Sequence, residues 1–481
     1  MATMTTSSGI RHSHLPTRLL LVLVLLLSLG NFARALGPMP VPSLESRVAH
    51  LENRMDQATP INSGDNAWLL VSTALVLMMT APGLILFYGG LVRRKNVLGT
   101  MMHSMVLMGL VSVLWVLYGY SMAFGAGNAF CGDPRAHFLL SGVGAAPDPA
   151  YAPTVPAQTF MLFQMMFAII TPALISGAIA ERMKFGAYLV FTGLWVTIVY
   201  FPLAHMVWGT GGFFNWAQGG STPVLDFAGG MVVHISSGVS ALVCALVLGR
   251  RLGYPREPMP PHNVVLSLTG TGLLWVGWFG FNAGSALTAG GLATSAFAAT
   301  HFSASAAALS WVLCERWHRG KPSVLGAASG MVAGLATITP AAGFVSVPAA
   351  LLIGLCAGAA CFFAVTKLKG YFGYDDSLDV FGVHGVGSII GMLMLGFLAN
   401  PTVNDAIATT WKVNGVAVSL AGGWAQAFNQ LKGVVFTVAF AGGATFVLLK
   451  LISAFGGLRV SEEDETLGLD LTQHGESAYN E

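Results

Sequence analysis

Two segments, 226-DFAGGMVVHISSG-238 and 379-DVFGVHGVGS-388, decide the fold of this chain. Each places one histidine, His234 or His384, inside a run of apolar and small residues. Hydrophobic residues make up 54% of the chain and charged residues only 9%, whereas charged residues are about 25% of a typical soluble domain. An ionisable side chain is costly in the middle of a bilayer and usually lines a pathway there. The two segments therefore indicate a membrane protein through which something polar passes.

The hydrophobic runs around these segments predict an all-α polytopic membrane protein. A spanning helix needs about 20 apolar residues, because its backbone polar groups must be hydrogen-bonded within the helix. Eleven runs are long enough to be predicted as transmembrane helices. They are residues 67–91, 97–125, 158–180, 185–204, 226–248, 264–285, 291–314, 323–340, 344–365, 380–399 and 429–452.

Positive charges between the spans give the orientation. If the first connection, Arg93-Arg94-Lys95, is cytoplasmic, the later inward loops carry ten more lysines and arginines, whereas the outward loops between spans carry Arg135 and Lys412 alone. Cytoplasmic loops of membrane proteins are enriched in Lys and Arg. We therefore expect a multi-pass protein of the cell membrane (plasma or inner) with its N-terminus outside and its C-terminus in the cytoplasm.

The chain divides into four parts. Residues 1–35 have the features of a cleaved signal peptide, since an eleven-residue apolar run follows two arginines and precedes a small-x-small site; an uncleaved anchor is the alternative. Residues 36–65 form an extracellular segment whose heptad-like spacing fits a short coiled coil or a solvated linker. Residues 66–452 form the transmembrane domain, and residues 453–481 form a cytoplasmic tail.

Spans one to five and six to ten can be divided into two five-helix halves, with span eleven as a final helix. Because five is odd, the second half has inverted topology, which is common in transporters. His234 and His384 then lie in matching helices that enter the membrane from opposite faces, and we expect the two rings to meet in the interior. A simple polar contact between helices is the alternative role for a buried histidine.

Other polar and aromatic residues accompany the histidines. Trp278, Phe281 and Ser285 share one face of span six by helical spacing. Trp208 lies in a glycine-rich turn, where its ring could anchor the chain at the interface or attract a cation. Asp226 opens span five, where a carboxylate can cap free amides or favour cations; we rank the structural role first.

Several function classes are not indicated by the sequence. It contains no nucleophile–base pair, phosphate-binding loop or metal-ligand cluster, so we expect no enzymatic activity, no metal ion, no cofactor and no nucleic-acid partner. A haem carrier with two histidine ligands is a minor alternative.

Five motifs together resemble the ammonium transporter family (Amt/Mep/Rh), on its Amt side. They are PGLILFYGGLVRRKN, HMVWG, LDFAGGMVVHISSG, GWFGFNAGS and DVFGVHGVGS. The resemblance implies a homotrimer of eleven-helix subunits in lipid, each with its own pore. It also assigns roles to matching positions: Trp208, Phe167 and Ser285 for cation recruitment, Phe167 and Phe281 for a phenyl gate, Asp226 for order in the vestibule, and Trp278, His234 and His384 for the pore.

The tail sequence GLDLTQHGESAY resembles the regulatory segment of the same family. The resemblance implies either a PII-type regulator or a kinase acting at Thr472. The expected function is transport of ammonium, with methylammonium as an analogue. Ammonium would be recruited as NH4+, deprotonated, and passed as NH3 along the histidines, with or without separate proton transfer. An ammonium sensor with little net transport is the alternative.

Overall fold

The computed structural model describes residues 61–479, and within them the chain is a bundle of long apolar helices. Ten helices are long and apolar enough to cross a membrane, and one more apolar helix is shorter. In chain order these are α1 (Ser63–Leu91), α2 (Arg94–Phe124), α3 (Ala157–Ile179), α4 (Phe185–Trp208), α5 (Gly230–Leu248), α6 (Val264–Gly284), α7 (Gly291–Arg319), α8 (Val324–Ile338), α9 (Val347–Phe372), α10 (Phe381–Leu398) and α11 (Trp424–Gly456).

Several helices differ from the predicted spans at their ends. Helix α1 begins at Ser63, inside the segment expected to be extracellular, because the Asn62 side chain accepts hydrogen bonds from the amides of Gly64 and Asp65. Helix α11 runs from Trp424 to Gly456, longer at both ends than residues 429–452. Helix α8 has 15 residues, about 22 Å, so it is shorter than the hydrocarbon core of about 30 Å.

A further difference concerns the start of α5. The prediction placed Asp226 at the first position of this span, but the helix begins at Gly230. The residue before it, Gly229, has a φ of 118°, a conformation that only glycine adopts without strain. Asp226 therefore lies outside the helix and caps it from the preceding extended segment.

Helix packing depends on glycine at the contacts. Along α6, a Cβ at Gly270, Gly277, Gly280 or Gly284 would collide with atoms of α1 or its neighbours. Small residues allow helices in a membrane to approach closely and gain van der Waals contact. Glycines of α8 and α9 likewise allow these helices to approach α7 closely. Helix α3 is buried along nearly its whole length and forms the centre of the bundle.

The two ends of the bundle are different. At one end, which we call the Trp208 face, the connections include two short antiparallel sheets, β1 (Pro147–Asp148) with β2 (Ala152–Pro156) and β3 (Lys412–Val413) with β4 (Val416–Ala417). At the other end, which we call the basic face, Arg93, Arg182 and Arg251 lie in the connections between helices.

The tail packs on the basic face. It contains a short helix, Glu462–Leu467, and a single turn, Asp470–His474. The Lys95 side chain donates to the carbonyl oxygens of Glu465 and Thr466, at 2.9 and 2.6 Å. The signal peptide and the coiled-coil-like stretch predicted before residue 61 lie outside the described residues.

Candidate functional site

The two histidines singled out in the sequence meet inside the bundle. The Nδ1 atoms of His234 and His384 are 3.2 Å apart, and the ring planes are inclined by only 18°. Both side chains are buried, with 1% and 4% exposure. A neutral imidazole has one donor and one acceptor nitrogen, so one ring can donate to the other. The Nε2 atom of His234 has no hydrogen-bond partner within residues 61–479.

Wide helical turns carry both histidines. His234 lies in the π-helical segment Gly230–Ile235 at the start of α5, and His384 lies in the π-helical segment Phe381–Gly385 at the start of α10. Such turns are rare and are often found at functional sites. Each histidine therefore sits near the beginning of its helix, a few residues after the connection that precedes it.

A carboxylate caps each of these starts. The side chain of Asp226 accepts from the amides of Gly229, Gly230, Met231 and Val232 at 2.6–3.4 Å. These four donors have no carbonyl partner within the helix, and a negative charge near a helix N-terminus is favourable. The carboxylate thereby fixes the segment that carries the histidine.

Asp376 also caps a helix, α10, and it was not among the residues predicted from the sequence. Its Oδ2 accepts from the amide of Phe381 at 2.8 Å. It stands eight residues before its histidine, as Asp226 does, and this repeated Asp-x7-His spacing is the signal that could have found it. Burial raises the pKa of Asp376 to about 6. Asp379, by contrast, is paired with Lys369 at 2.7 Å.

Close backbone contact sets the crossing of α5 and α10. A Cβ on Gly238 would lie 2.4 Å from the amide nitrogen of Gly385 and 2.5 Å from its Cα. Gly238 is one helical turn beyond His234, and Gly385 directly follows His384. The distance between the two imidazoles is thus fixed by main chain touching main chain.

Aromatic rings line the space beside the histidines. The indole of Trp278 stacks on His234 with centroids 5.4 Å apart and planes inclined by 20°. Phe281 lies 5.9 Å from the same imidazole. The enclosed cavity lined by these residues and His384 has a volume of about 10 Å³, which is close to the least that holds one water molecule. The cavity can accept one small molecule at a time.

Two phenyl rings separate this cavity from the Trp208 face. Phe167 and Phe281 are 4.3 Å apart between centroids, and both are almost completely buried, at 1% and 0% exposure. Aromatic pairs at this separation are in full van der Waals contact. A molecule can pass from the Trp208 face to the histidines only when one of these rings moves.

An open cavity of about 150 Å³ lies above the phenyl pair and is lined by Trp208, Phe167 and Ser285. The indole N–H of Trp208 donates to the carbonyl oxygen of Asp226 at 3.0 Å. The hydroxyl of Ser285 donates to the carbonyl oxygen of Phe281 at 2.8 Å. Both hydrogens are engaged, so the indole face and the Ser285 oxygen remain to receive a cation or a hydrogen-bond donor.

A second open cavity of about 190 Å³ reaches His384 from the basic face. The three cavities follow one another along the bundle, because Phe167 borders the first, Phe281 and His234 the second, and His384 both the second and the third. The structure thus brings together every pore residue named from the sequence, although Asp226 contributes only a backbone carbonyl and a capping role.

Thr472 lies apart from this path, in the tail turn on the basic face. Its hydroxyl donates to the carbonyl oxygen of Gly468 at 3.0 Å. Next to it, Asp470 accepts from the amide of Gly99 at 2.8 Å, and the amide of Leu469 donates to the side chain of Asn96 at 2.8 Å. The tail is therefore connected to the start of α2 rather than to the histidines.

The geometry argues against a haem held between the two histidines. Metal–nitrogen bonds are about 2 Å long, so two imidazoles on opposite sides of one iron need about 4 Å between the nitrogen atoms, more than the 3.2 Å observed. Within residues 61–479, no group of three or more His, Cys, Asp or Glu side chains is arranged to hold a metal ion.

Comparison with known proteins gives a consistent result. Residues 67–479 match the sequence profile of the Ammonium Transporter Family. The chain is 48% identical over 418 residues to the ammonium transporter of Bacillus subtilis, covering 87% of this chain and 99% of that protein. It is 43% identical over 420 residues to the ammonium transporter Amt1 of Archaeoglobus fulgidus, covering 87% and 100%.

The fold is similar to solved structures as well. The crystal structure of Mep2 from Saccharomyces cerevisiae superposes with a TM-score of 0.77 at 35% sequence identity, covering 88% of this chain and 92% of that one. The similarity therefore extends over most of the described fold.

Proposed function

This chain belongs to the ammonium transporter family, and from that premise we propose that it moves ammonium across a membrane by the path of the three cavities. Ammonium is recruited as NH4+ in the outer cavity, loses a proton near the phenyl pair, and crosses as NH3 past His234 and His384. The single observation that supports this route most directly is the pair of hydrogen-bonded imidazoles in a closed cavity that holds one small molecule.

Recruitment relies on the face of Trp208 and the oxygen of Ser285. An indole face attracts a cation by about 0.5–2 kcal/mol, and the hydroxyl oxygen can accept one N–H of ammonium. Both groups are oriented by their own hydrogen bonds before the ion arrives. The site therefore requires little reorganisation on binding.

Deprotonation follows from the cost of moving the charge. Taking an ammonium-sized ion from water into a dry interior has an idealised Born cost of about 20 kcal/mol. A cation–π contact and one hydroxyl offset only a small part of it. The ion therefore enters the narrow cavity as NH3, and its proton either returns to the outer water or travels separately along the two imidazoles, which can donate and accept in one chain.

Selectivity against potassium follows from the same chemistry. K+ has no proton to release and donates no hydrogen bond, so it meets the full cost of dehydration at the phenyl pair. K+ can therefore be excluded even though its radius differs little from that of NH4+. The relatives are named transporters, which favours transport over a sensor with little flux.

We further propose the finer architecture of the family. The short helix α8 counts as the eleventh transmembrane element, and the two Asp-x7-His segments at the starts of α5 and α10 support two inverted halves. The Trp208 face is outside and the basic face is cytoplasmic, as positive charge predicts. Three such subunits form the homotrimer in the cell membrane, and the tail is the element on which a PII-type regulator or a kinase at Thr472 acts.

The test is flux through purified protein in liposomes. An ammonium pulse should produce uptake, and a pulse of potassium should not. His384→Ala should abolish this uptake or make it sensitive to potassium, because the hydrogen-bonded pair is lost. If His384→Ala protein took up ammonium at the normal rate without potassium sensitivity, the histidine route would be excluded. Saturable binding of ammonium without any flux would instead indicate the sensor.

A further inference from the structure

The turn that ends α8 lies between the two helices that carry the histidines. We call residues 337–340 the α8 turn. A Cβ on Gly230 of α5 would lie 2.6 Å from the Cβ of Pro340 in this turn. On the opposite side, a Cβ on Gly391 of α10 would overlap the carbonyl oxygen of Thr337. Because α8 stops inside the bundle, its last residues can touch both helices that carry the histidines.

Within this turn, the hydroxyl of Thr339 binds Trp278. The indole Nε1–H donates to Thr339 Oγ1 at 2.9 Å, and the same hydroxyl donates its own hydrogen to the carbonyl oxygen of Leu335 at 2.8 Å. The bond to Leu335 turns a lone pair of the Thr339 oxygen toward the indole. Trp278 and Thr339 are 2% and 0% exposed, so water does not reach this contact from outside.

The orientation of His234 depends on that indole. The ring torsion of histidine is broad when nothing restrains it. On one side the imidazole contacts His384 through Nδ1, whereas its Nε2 has no partner within residues 61–479. The stacked indole of Trp278 is the flat surface against which the ring rests. A rotation of the indole would therefore permit a rotation of the imidazole away from its partner.

We propose that Thr339 is a positioning residue of the conduction path: by accepting the N–H of Trp278 it holds the indole against His234 and so keeps the two imidazoles aligned. This inference rests on the proposed function, since it concerns the same path. Thr339 acts through Trp278 and is not part of the cavity that surrounds the imidazoles. The α8 turn thereby combines two roles, contact with both helices and orientation of the ring between them.

The test compares Thr339→Val, which keeps the shape and loses the acceptor, with Thr339→Ser, which keeps the hydroxyl. Uptake of ammonium into liposomes is measured per amount of folded protein, determined by size-exclusion chromatography. We expect Thr339→Val to lower the rate about tenfold, as for a buried donor that loses its acceptor, and Thr339→Ser to stay within about twofold. Thr437→Val is the matched control, because the Thr437 hydroxyl is buried and donates only to Gly433 of its own helix.

A double-mutant cycle separates this role from simple packing. Trp278→Phe removes the donor, so Thr339→Val should have no further effect in that background. The proposal is overturned if Thr339→Val or Trp278→Phe transports like the unaltered protein, or if Thr339→Val lowers the rate by the same factor in both backgrounds. Absence of uptake by the unaltered protein and by Thr437→Val would instead count against the proposed function.

Discussion

The proposed role of Trp208 in cation recruitment depends on how its indole ring is held. Its N–H is bonded to the carbonyl oxygen of Asp226, and its edge meets Phe167 with planes inclined by 80°. These contacts leave one indole face toward the outer cavity. In the route proposed above, the ring face would contact the cation, whereas the N–H is bonded to the protein.

Replacing Trp208 tests these tasks separately. We expect Trp208→Leu to raise the ammonium concentration for half-maximal uptake about 2- to 30-fold, which corresponds to a cation–π energy of about 0.5–2 kcal/mol, with a modest loss of maximal rate. Trp208→Phe keeps an aromatic face without the N–H. Its half-maximal concentration should lie between those of the unaltered protein and Trp208→Leu. Concentration-dependent uptake in liposomes measures both values, and identical half-saturation for Leu and Phe would refute the role of the ring face.

The sequence singled out the residues around the cavities better than the residues that support them. His234, His384, Trp208 and Trp278 are conspicuous because polar or large aromatic groups interrupt apolar segments. Thr339 could not be found in this way, since a threonine in an apolar helix is common and its partner is 61 positions away in the chain. Such long-range hydrogen bonds leave no local pattern.

At the scale of elements, the starts of α5 and α10 share one construction. Each begins with a capping carboxylate, continues with a π-helical segment and places a histidine within it. For α5 the cap is complete, because four amides point at Asp226. Loss of that charge would leave buried donors without an acceptor, which costs about 1–3 kcal/mol per group.

We expect Asp226→Asn to lower the thermal unfolding midpoint and to reduce ammonium uptake, because one carboxylate oxygen becomes an NH2 donor facing other donors. Unfolding in detergent and uptake in liposomes are the two measurements. Asn263→Ala is the control: Asn263 caps α6 through one bond to Leu266, so its loss should cost about 1 kcal/mol and leave uptake per folded protein unchanged. Equal behaviour of the two variants would show that the Asp226 cap has no special role.

Hydropathy predicted the existence of the helices but not their ends. The start of α5 was placed at Asp226 because apolar residues continue from Phe227, whereas the left-handed Gly229 and the extended chain before it place the start at Gly230. Helix α8 was predicted over residues 323–340 and is observed as Val324–Ile338, because Thr339 and Pro340 enter a buried turn. In both cases tertiary contacts, rather than local hydrophobicity, determine where the helix ends.

At the scale of the whole molecule, one buried ion-pair network joins four connections on the basic face. Glu181 pairs with Arg93 and Arg251, each at 2.9 Å, and Arg251 also pairs with Asp375 at 2.8 Å. Burial alone would raise the pKa of Glu181, but the positive charges of Arg251 and Arg93 outweigh it and hold this pKa below its ordinary value. Removing one partner of such a network costs about 3–5 kcal/mol.

The sign of the pH dependence follows from that shift. A carboxyl group whose pKa is lower in the folded state contributes its full stability above its unfolded pKa, about 4.3 for Glu, and loses it as pH falls through the folded value. We therefore expect the unfolding midpoint to fall when the pH drops below about 4 and to change little from pH 6 to 8. Glu181→Gln should lower the midpoint at pH 7 and flatten its acid dependence.

A surface pair provides the control for this network. Asp133 and Arg135 form an exposed ion pair at 3.0 Å, and exposed pairs contribute little. Asp133→Asn should therefore leave the unfolding midpoint unchanged at every pH. A Glu181→Gln protein as stable as Asp133→Asn at pH 7 would contradict the structural importance of the network.

The contact between the main chains of Gly238 and Gly385 sets the distance between the two histidine rings. No side chain takes part in this contact. Substitutions at the lipid-facing surface should therefore leave the separation of the two rings unchanged. Substitutions at Gly238 or Gly385 themselves, by contrast, should not be tolerated. One added methyl group at Gly238 would push the rings apart by more than a hydrogen bond can follow.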